Sequence, residues 1–221
     1  MPTVLITGAS RGIGAEFASQ YAAEGWRVIA TCRDPKRYDG AGEAHALDVT
    51  DAASVAALGQ AMEGEAIDLL INNAGIYGPR SLSFDALDYD AWEQVLRTNL
   101  MGPMRVAAAL AEPVMISQQK KMVFISSKVG SIADNSSGGS YIYRSSKTAL
   151  NMAVKSLSLD LSGKGVITLL LHPGWVQTDM GGASAPIDAV TSVAGMRAVI
   201  DRADAADTGR FFNYDGNELP W

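Results

Sequence analysis

The chain of 221 residues is 48% hydrophobic and 19% charged, which suits one well-packed core. Lys and Arg total 18 against 24 Asp and Glu, and the resulting formal charge of -6 offers no basic footprint for nucleic acid and is too mild for a disordered acidic chain. One cysteine, Cys32, excludes an internal disulfide, and the longest apolar runs, such as "VITLLL", are far too short for a membrane span.

"TVLIT" (3–7) is a short β-rich run that begins almost at the first residue, so no secretion leader is expected and a cytoplasmic protein is. Gly8 ends it, and Ile13, Phe17 and Tyr21 then recur at helical spacing. "WRVIATC" (26–32) reads as a second strand and "EAHALDV" (43–49) as a weaker third. Val55, Leu58 and Met62 mark a helix over 51–62, followed by a fourth strand, "AIDLLIN" (66–72). A loop with Gly75, Gly78 and Pro79 leads to a helix whose Trp92, Val95 and Leu96 share one face. "KMVFIS" (121–126) is the fifth strand, "VITLLLH" (166–172) the sixth, and "GRFFNY" (209–214) a candidate seventh.

Nearly continuous apolar strands alternating with helices imply a parallel sheet covered on both faces. The expected fold is therefore α/β, a doubly wound Rossmann sheet of about seven strands forming one domain over 1–221. Ligands of such sheets bind beyond the carboxyl ends of the strands, so those ends are where chemistry is sought.

"TGASRGIG" (7–14) joins the first strand to the first helix, with glycines in the order G-x-x-x-G-x-G, a variant of the common dinucleotide spacing. Glycines permit a tight turn against a pyrophosphate, and the helix N-terminus offers free N–H groups and a positive dipole end. Gly8, Ser10, Arg11, Gly12, Ile13 and Gly14 are thus candidate cofactor contacts. At the tip of the second strand stands Arg33, whose guanidinium suits a ribose 2′-phosphate; Arg11 could add a second cation. This favours NADP(H) over NAD(H). Asp34 is the rival, since an acid there would meet a ribose 2′-hydroxyl if the strand ran further.

From "YRSSK" (143–147) onward, Tyr143, Lys147, Leu150, Val154, Leu157 and Leu161 fall on one helical stripe. A lysine on a stripe that buries leucines costs free energy unless its charge has work to do. One turn from Tyr143, it would favour the phenolate and lower a pKa of about 10 toward neutrality. Tyr141 lacks such a partner, having Ser145 at i+4. The only histidines, His45 and His172, are far apart, and no metal-ligand set is expected.

Seven motifs in order, TGASRGIG (7–14), LDV (47–49), NNAG (72–75), Asn99 in RTNLMG (97–102), ISSKVG (125–130), YRSSK (143–147) and HPGWVQTD (172–179), resemble those of the short-chain dehydrogenase/reductase family from Thr3 to about Met180. "TCRDP", "HPGWVQTDMGG" and "NYDGNELPW" resemble its compact carbonyl reductase branch, with the sniffer and C-factor proteins. The resemblance implies an NADPH-dependent reductase of aldehydes or ketones. It implies Asn99, Ser127, Tyr143 and Lys147 as the catalytic set, with Tyr143 as general acid/base, Ser127 rather than Ser126 on the substrate oxygen, and Asn99 linking Lys147 to solvent through a water. Asp48 and Val49 would contact adenine; Asn73, Ala74 and Gly75 the adenosine ribose; Lys147 the nicotinamide ribose; and Pro173, Gly174, Val176 and Thr178 the nicotinamide end. Residues 127–143, with "DNSSGGS", read as a flap at the substrate mouth. A dinucleotide-binding signalling protein and an NAD-linked alcohol dehydrogenase are the alternatives. Relatives also suggest a homodimer through helices near 88–117 and 141–162; no nucleic-acid or membrane partner is expected.

Overall fold

The computed structural model describes residues 1–80 and 83–221. Strands β1 (Thr3–Thr7), β2 (Arg27–Cys32), β3 (Glu43–Ala46), β4 (Leu69–Asn72), β5 (Lys121–Ile125), β6 (Ile167–His172) and β7 (Arg210–Asn213) form one sheet in the order β3-β2-β1-β4-β5-β6-β7. Every pairing is parallel. The expected architecture is therefore present, with β3 shorter than its seven-residue run: Leu47, Asp48 and Val49 already belong to the loop beyond it.

Alternation along the strands divides the apolar residues between two layers. Val4, Ile6, Ala30, Ile71, Val123 and Leu171 face α1 (Gly12–Ala23) and α7 (Ala189–Arg202). Leu5, Ile29, Leu70, Phe124 and Leu170 face α2 (Ala52–Ala61), α4 (Gly102–Ala109), α5 (Ala111–Met115) and α6 (Tyr141–Ser162). Because both faces are covered, the strands carry few polar residues, and chemistry is displaced to their ends.

Two features go beyond the sequence reading. The segment after Thr178 leads into α7, where Asp188 caps the helix by accepting from Thr191 N at 2.7 Å and Val193, Met196, Val199 and Ile200 are buried. The helical stretch near 88–117 is also broken. It runs as α3 (Tyr89–Leu96), a π-helical turn (Arg97–Met101), α4 and α5. Pro103, four residues after Asn99, has no N–H to give the Asn99 carbonyl, so the ordinary helical bond cannot form and the helix widens there. No described helix is long and apolar enough to cross a membrane.

Candidate active site

The loop between β1 and α1 is locked to the end of β4. Asn73 Nδ2 donates to the carbonyls of Thr7 and Gly8 at 2.9 and 3.2 Å, while Thr7 Oγ1 accepts from the backbone N–H of Asn73 and Ala74, both at 3.0 Å. A Cβ on Gly14 would lie 2.3 Å from the Gly8 carbonyl oxygen and 2.6 Å from Asn73 Nδ2, so only glycine fits that close approach. The first turn of α1 has no capping side chain and no acidic residue, which leaves its N–H groups for an anion. Ser10 is exposed above this cradle. Ile13 packs its side chain on the core, so only its backbone can serve a ligand. The geometry fits the phosphates of a dinucleotide. Gly14→Ala is expected to push the loop off Asn73 and to weaken NADPH binding by about tenfold or more, measured by calorimetric titration; unchanged affinity would show that the cradle binds no phosphate.

β2 ends at Cys32, which places Arg33 just past the tip. Arg33 is exposed and forms no ion pair among the described residues, whereas Asp34 is held by Arg37 Nε at 3.2 Å. Arg33 also reaches Asp48: the Thr50 hydroxyl, the Thr50 N–H and then the Arg33 charge hold that carboxyl below its ordinary range. Val49 is buried against Gly102. Arg11 departs from expectation, because its guanidinium pairs with Asp179 at 2.8 Å across the cradle and its charge is already balanced.

The residues expected at the nicotinamide end lie in the loop after β6. The Pro173 carbonyl accepts from Ser192 of α7, Gly174 packs near Ile187 and Tyr214, and Val176 is buried and bridges to Ile187. The Thr178 hydroxyl accepts from Gly181 N at 3.1 Å, and a Cβ on Gly12 would lie 3.4 Å from its methyl, so this loop closes onto the cradle. His172, at the end of β6, is pushed down to about 4, chiefly by burial and next by Lys128, and stays neutral.

Further along the same edge lie the four candidate catalytic residues. A Cβ on Gly75 would lie 3.2 Å from Asn99 Oδ1 and 3.8 Å from Lys147 Nζ, which puts the NNAG turn, the π-helical turn and α6 in one place. Gly130 lets the turn after β5 meet α6, since a Cβ there would lie 2.8 Å from that of Lys147. That contact brings Ser127 to Tyr143, close enough for its hydroxyl to lower the phenol by hydrogen bonding. Ser126 is turned away and donates to Asn151 Oδ1 at 2.6 Å in the interior. Tyr141 is exposed at the start of α6.

One expectation needs correction. Lys147 is buried and donates to the Ile125 carbonyl at 2.9 Å, with its ammonium 5.7 Å from the Tyr143 ring centroid. Burial pushes it down to about 8. The Tyr143 phenol is pushed up, not down, by burial first and Tyr77 second, with Ser127 opposing. Desolvation of the phenolate is the largest influence on this phenol. The Asn99 side chain is engaged within the protein. Its Oδ1 accepts from Ile76 N at 2.9 Å, and its Nδ2 donates to the Ile76 carbonyl at 2.8 Å and to Ser146 Oγ at 3.1 Å. The side-chain amide is a strut between the NNAG turn and α6.

Sequence reasoning passed over Tyr77, whose ring stacks on Tyr143 with centroids 4.4 Å apart and planes at 21°. A tyrosine in an irregular loop has no periodicity to single it out.

An α/β sheet with a glycine cradle at β1, an inward Tyr–Lys pair on α6 and a serine ending β5 is the arrangement of a nicotinamide-linked oxidoreductase. Residues 2–189 match the model of the short chain dehydrogenase family, and the chain belongs to that family. Within it, the chain is of the sniffer and C-factor type. C-signal of Myxococcus xanthus is 46% identical over 155 residues, covering 70% of this chain and 93% of C-signal. The 1-hydroxy-2-glutathionyl-2-methyl-3-butene dehydrogenase of Rhodococcus sp. (strain AD45) is 36% identical over 234 residues, with all of both chains covered. Among solved structures, the carbonyl reductase Sniffer of D. melanogaster matches with a TM-score of 0.94 at 33% identity over 100% of both chains. The NADPH-bound carbonyl reductase from chicken fatty liver matches with a TM-score of 0.90 at 33% identity, over 100% of this chain and 99% of that one.

Proposed function

We propose that this chain reduces aldehyde or ketone carbonyls with NADPH, Tyr143 giving the proton. The observation that carries the reading is the meeting of Tyr143, Ser127 and Lys147 at the ends of β5 and α6, beside the cradle. A bound nicotinamide dinucleotide supplies the hydride. Tyr143 donates its phenolic proton to the carbonyl oxygen as negative charge develops, and Ser127 gives that oxygen a hydrogen bond. The buried Lys147 ammonium steadies the phenolate that remains. Asn99 keeps the NNAG turn seated against α6 and is a positioning residue. A phenol pushed up by its surroundings holds its proton, the form that reduction needs. In the reverse direction the phenolate must accept the proton, so alcohol oxidation gains with rising pH.

Arg33, with Asp34 engaged by Arg37, supports NADP(H) over NAD(H). Arg33→Ala is expected to lower the preference for NADPH over NADH in kcat/KM by about tenfold or more, read from cofactor absorbance with one carbonyl substrate; an unchanged ratio would overturn the assignment. Similarity to C-signal supports a second reading, a dinucleotide-binding signalling protein. A panel of aldehydes and ketones mixed with NADPH separates the two: tight binding without turnover favours signalling. Exposed Met152 and Leu159 on α6 support association with a second copy through that helix.

A further inference from the structure

Tyr77 lies in the loop after β4, and three strand-end loops meet around its ring. One face stacks on Tyr143 at 4.4 Å. The Arg80 guanidinium covers the other at 4.5 Å and donates to the Met180 carbonyl in the loop after β6. The Tyr77 hydroxyl lies 3.2 Å from Ser140 Oγ, at the close of the segment after β5. Ser140 holds φ at 47°, a left-handed conformation unusual for a residue with a side chain, so its hydroxyl is aimed by a constrained backbone. The cleft that Tyr77 shares with Pro79, Leu87, Ser140, Ile142 and Tyr143 has a volume of about 10 Å³, the space of roughly one water. The ring is thus close-packed against the phenol. It cannot tilt away without giving up both the guanidinium stack and the contact with Ser140.

A carbonyl oxygen within hydrogen-bond reach of the Tyr143 hydroxyl brings its carbon substituents alongside the Tyr77 ring. We propose that Tyr77 is a specificity-determining residue, the wall that limits the size of the group lodged against Tyr143. This rests on Tyr143 being the proton donor. The chain then prefers small or linear carbonyls to those with a bulky ring next to the carbonyl. An aliphatic side chain at position 77 would leave space beside the phenol where the ring now stacks.

The test compares kcat/KM with NADPH for a small linear aldehyde and for an aryl ketone in wild type, Tyr77→Ala, Tyr77→Leu and Tyr77→Phe. Tyr77→Ala and Tyr77→Leu are expected to shift the ratio toward the aryl ketone by about tenfold or more, mainly through its KM. Tyr77→Phe keeps the ring and is expected to stay within about twofold of wild type. An unshifted ratio in Tyr77→Ala and Tyr77→Leu overturns the proposal, as does an equal fall for both substrates or loss of the fold in both variants, since each makes the ring purely structural. Failure of the underlying reading looks different: wild type would reduce neither substrate, or Tyr143→Phe would remain active.

Discussion

Tyr143→Phe is expected to lower kcat for carbonyl reduction by about 10²–10⁴-fold while leaving NADPH affinity within a few-fold of wild type. The substitution removes one hydroxyl and keeps the ring. The stack on Tyr77 at 4.4 Å therefore survives, and so does the packing of α6 against the turn at Gly130. What disappears is the hydroxyl proposed to hand its proton to the carbonyl oxygen, together with the hydrogen bond to Ser127. Stopped-flow turnover paired with a fluorescence titration of NADPH reads both quantities. Loss of binding along with turnover would mean that the phenol holds the cofactor rather than the proton.

Lys147→Met is expected to make the cofactor-free protein more stable and nearly inactive. Lys147 is pushed from 10.5 down to about 8 by burial. Below pH 8 the folded protein keeps a charge that burial opposes, a cost of roughly 3 kcal/mol. Between 8 and 10.5 the folded state sheds the proton before the unfolded state does, and the cost fades as pH rises. Methionine removes the cost but leaves the Ile125 carbonyl without its donor, a penalty of about 1 kcal/mol. The variant should therefore gain about 2 kcal/mol at neutral pH and lose that advantage by about pH 10. Urea unfolding at both pH values measures the gap. A gap independent of pH would mean that the lysine carries no buried charge. The activity loss, about 10²-fold, follows from a phenolate left without a nearby cation. A residue kept at a cost to stability is one the site needs for its chemistry.

Much of the fold was legible because it rests on period and burial. The strands were visible as apolar runs that two covered faces require, and the α6 stripe from Tyr143 to Leu161 as steps of three and four. The candidate cradle and the Tyr143–Lys147 pair stood out because glycine spacing and an inward lysine have few other physical reasons to exist, whereas Ser127 and Asn99 were named through the family resemblance. α7 escaped notice although Val193, Met196 and Ile200 have helical spacing, since Gly195 and a run of small residues weaken the signal. The π-helical turn depends on one missing N–H at Pro103, a local event inside an otherwise regular pattern. The direction of the Tyr143 shift was not legible at all. It is set chiefly by the phenolate's desolvation, and only the enclosing atoms, Tyr77 among them, decide it. Arg11 shows the same limit: its partner Asp179 lies 168 residues away in the chain.

The most direct measurement follows an isotope. NADPH carrying deuterium at the transferable position is incubated with the chain and an aldehyde, and the product is examined by mass spectrometry. The proposed chemistry puts one deuterium on the carbinol carbon, at a rate that Tyr143→Phe suppresses. An alcohol without the label, or no alcohol despite saturating NADPH, would contradict it.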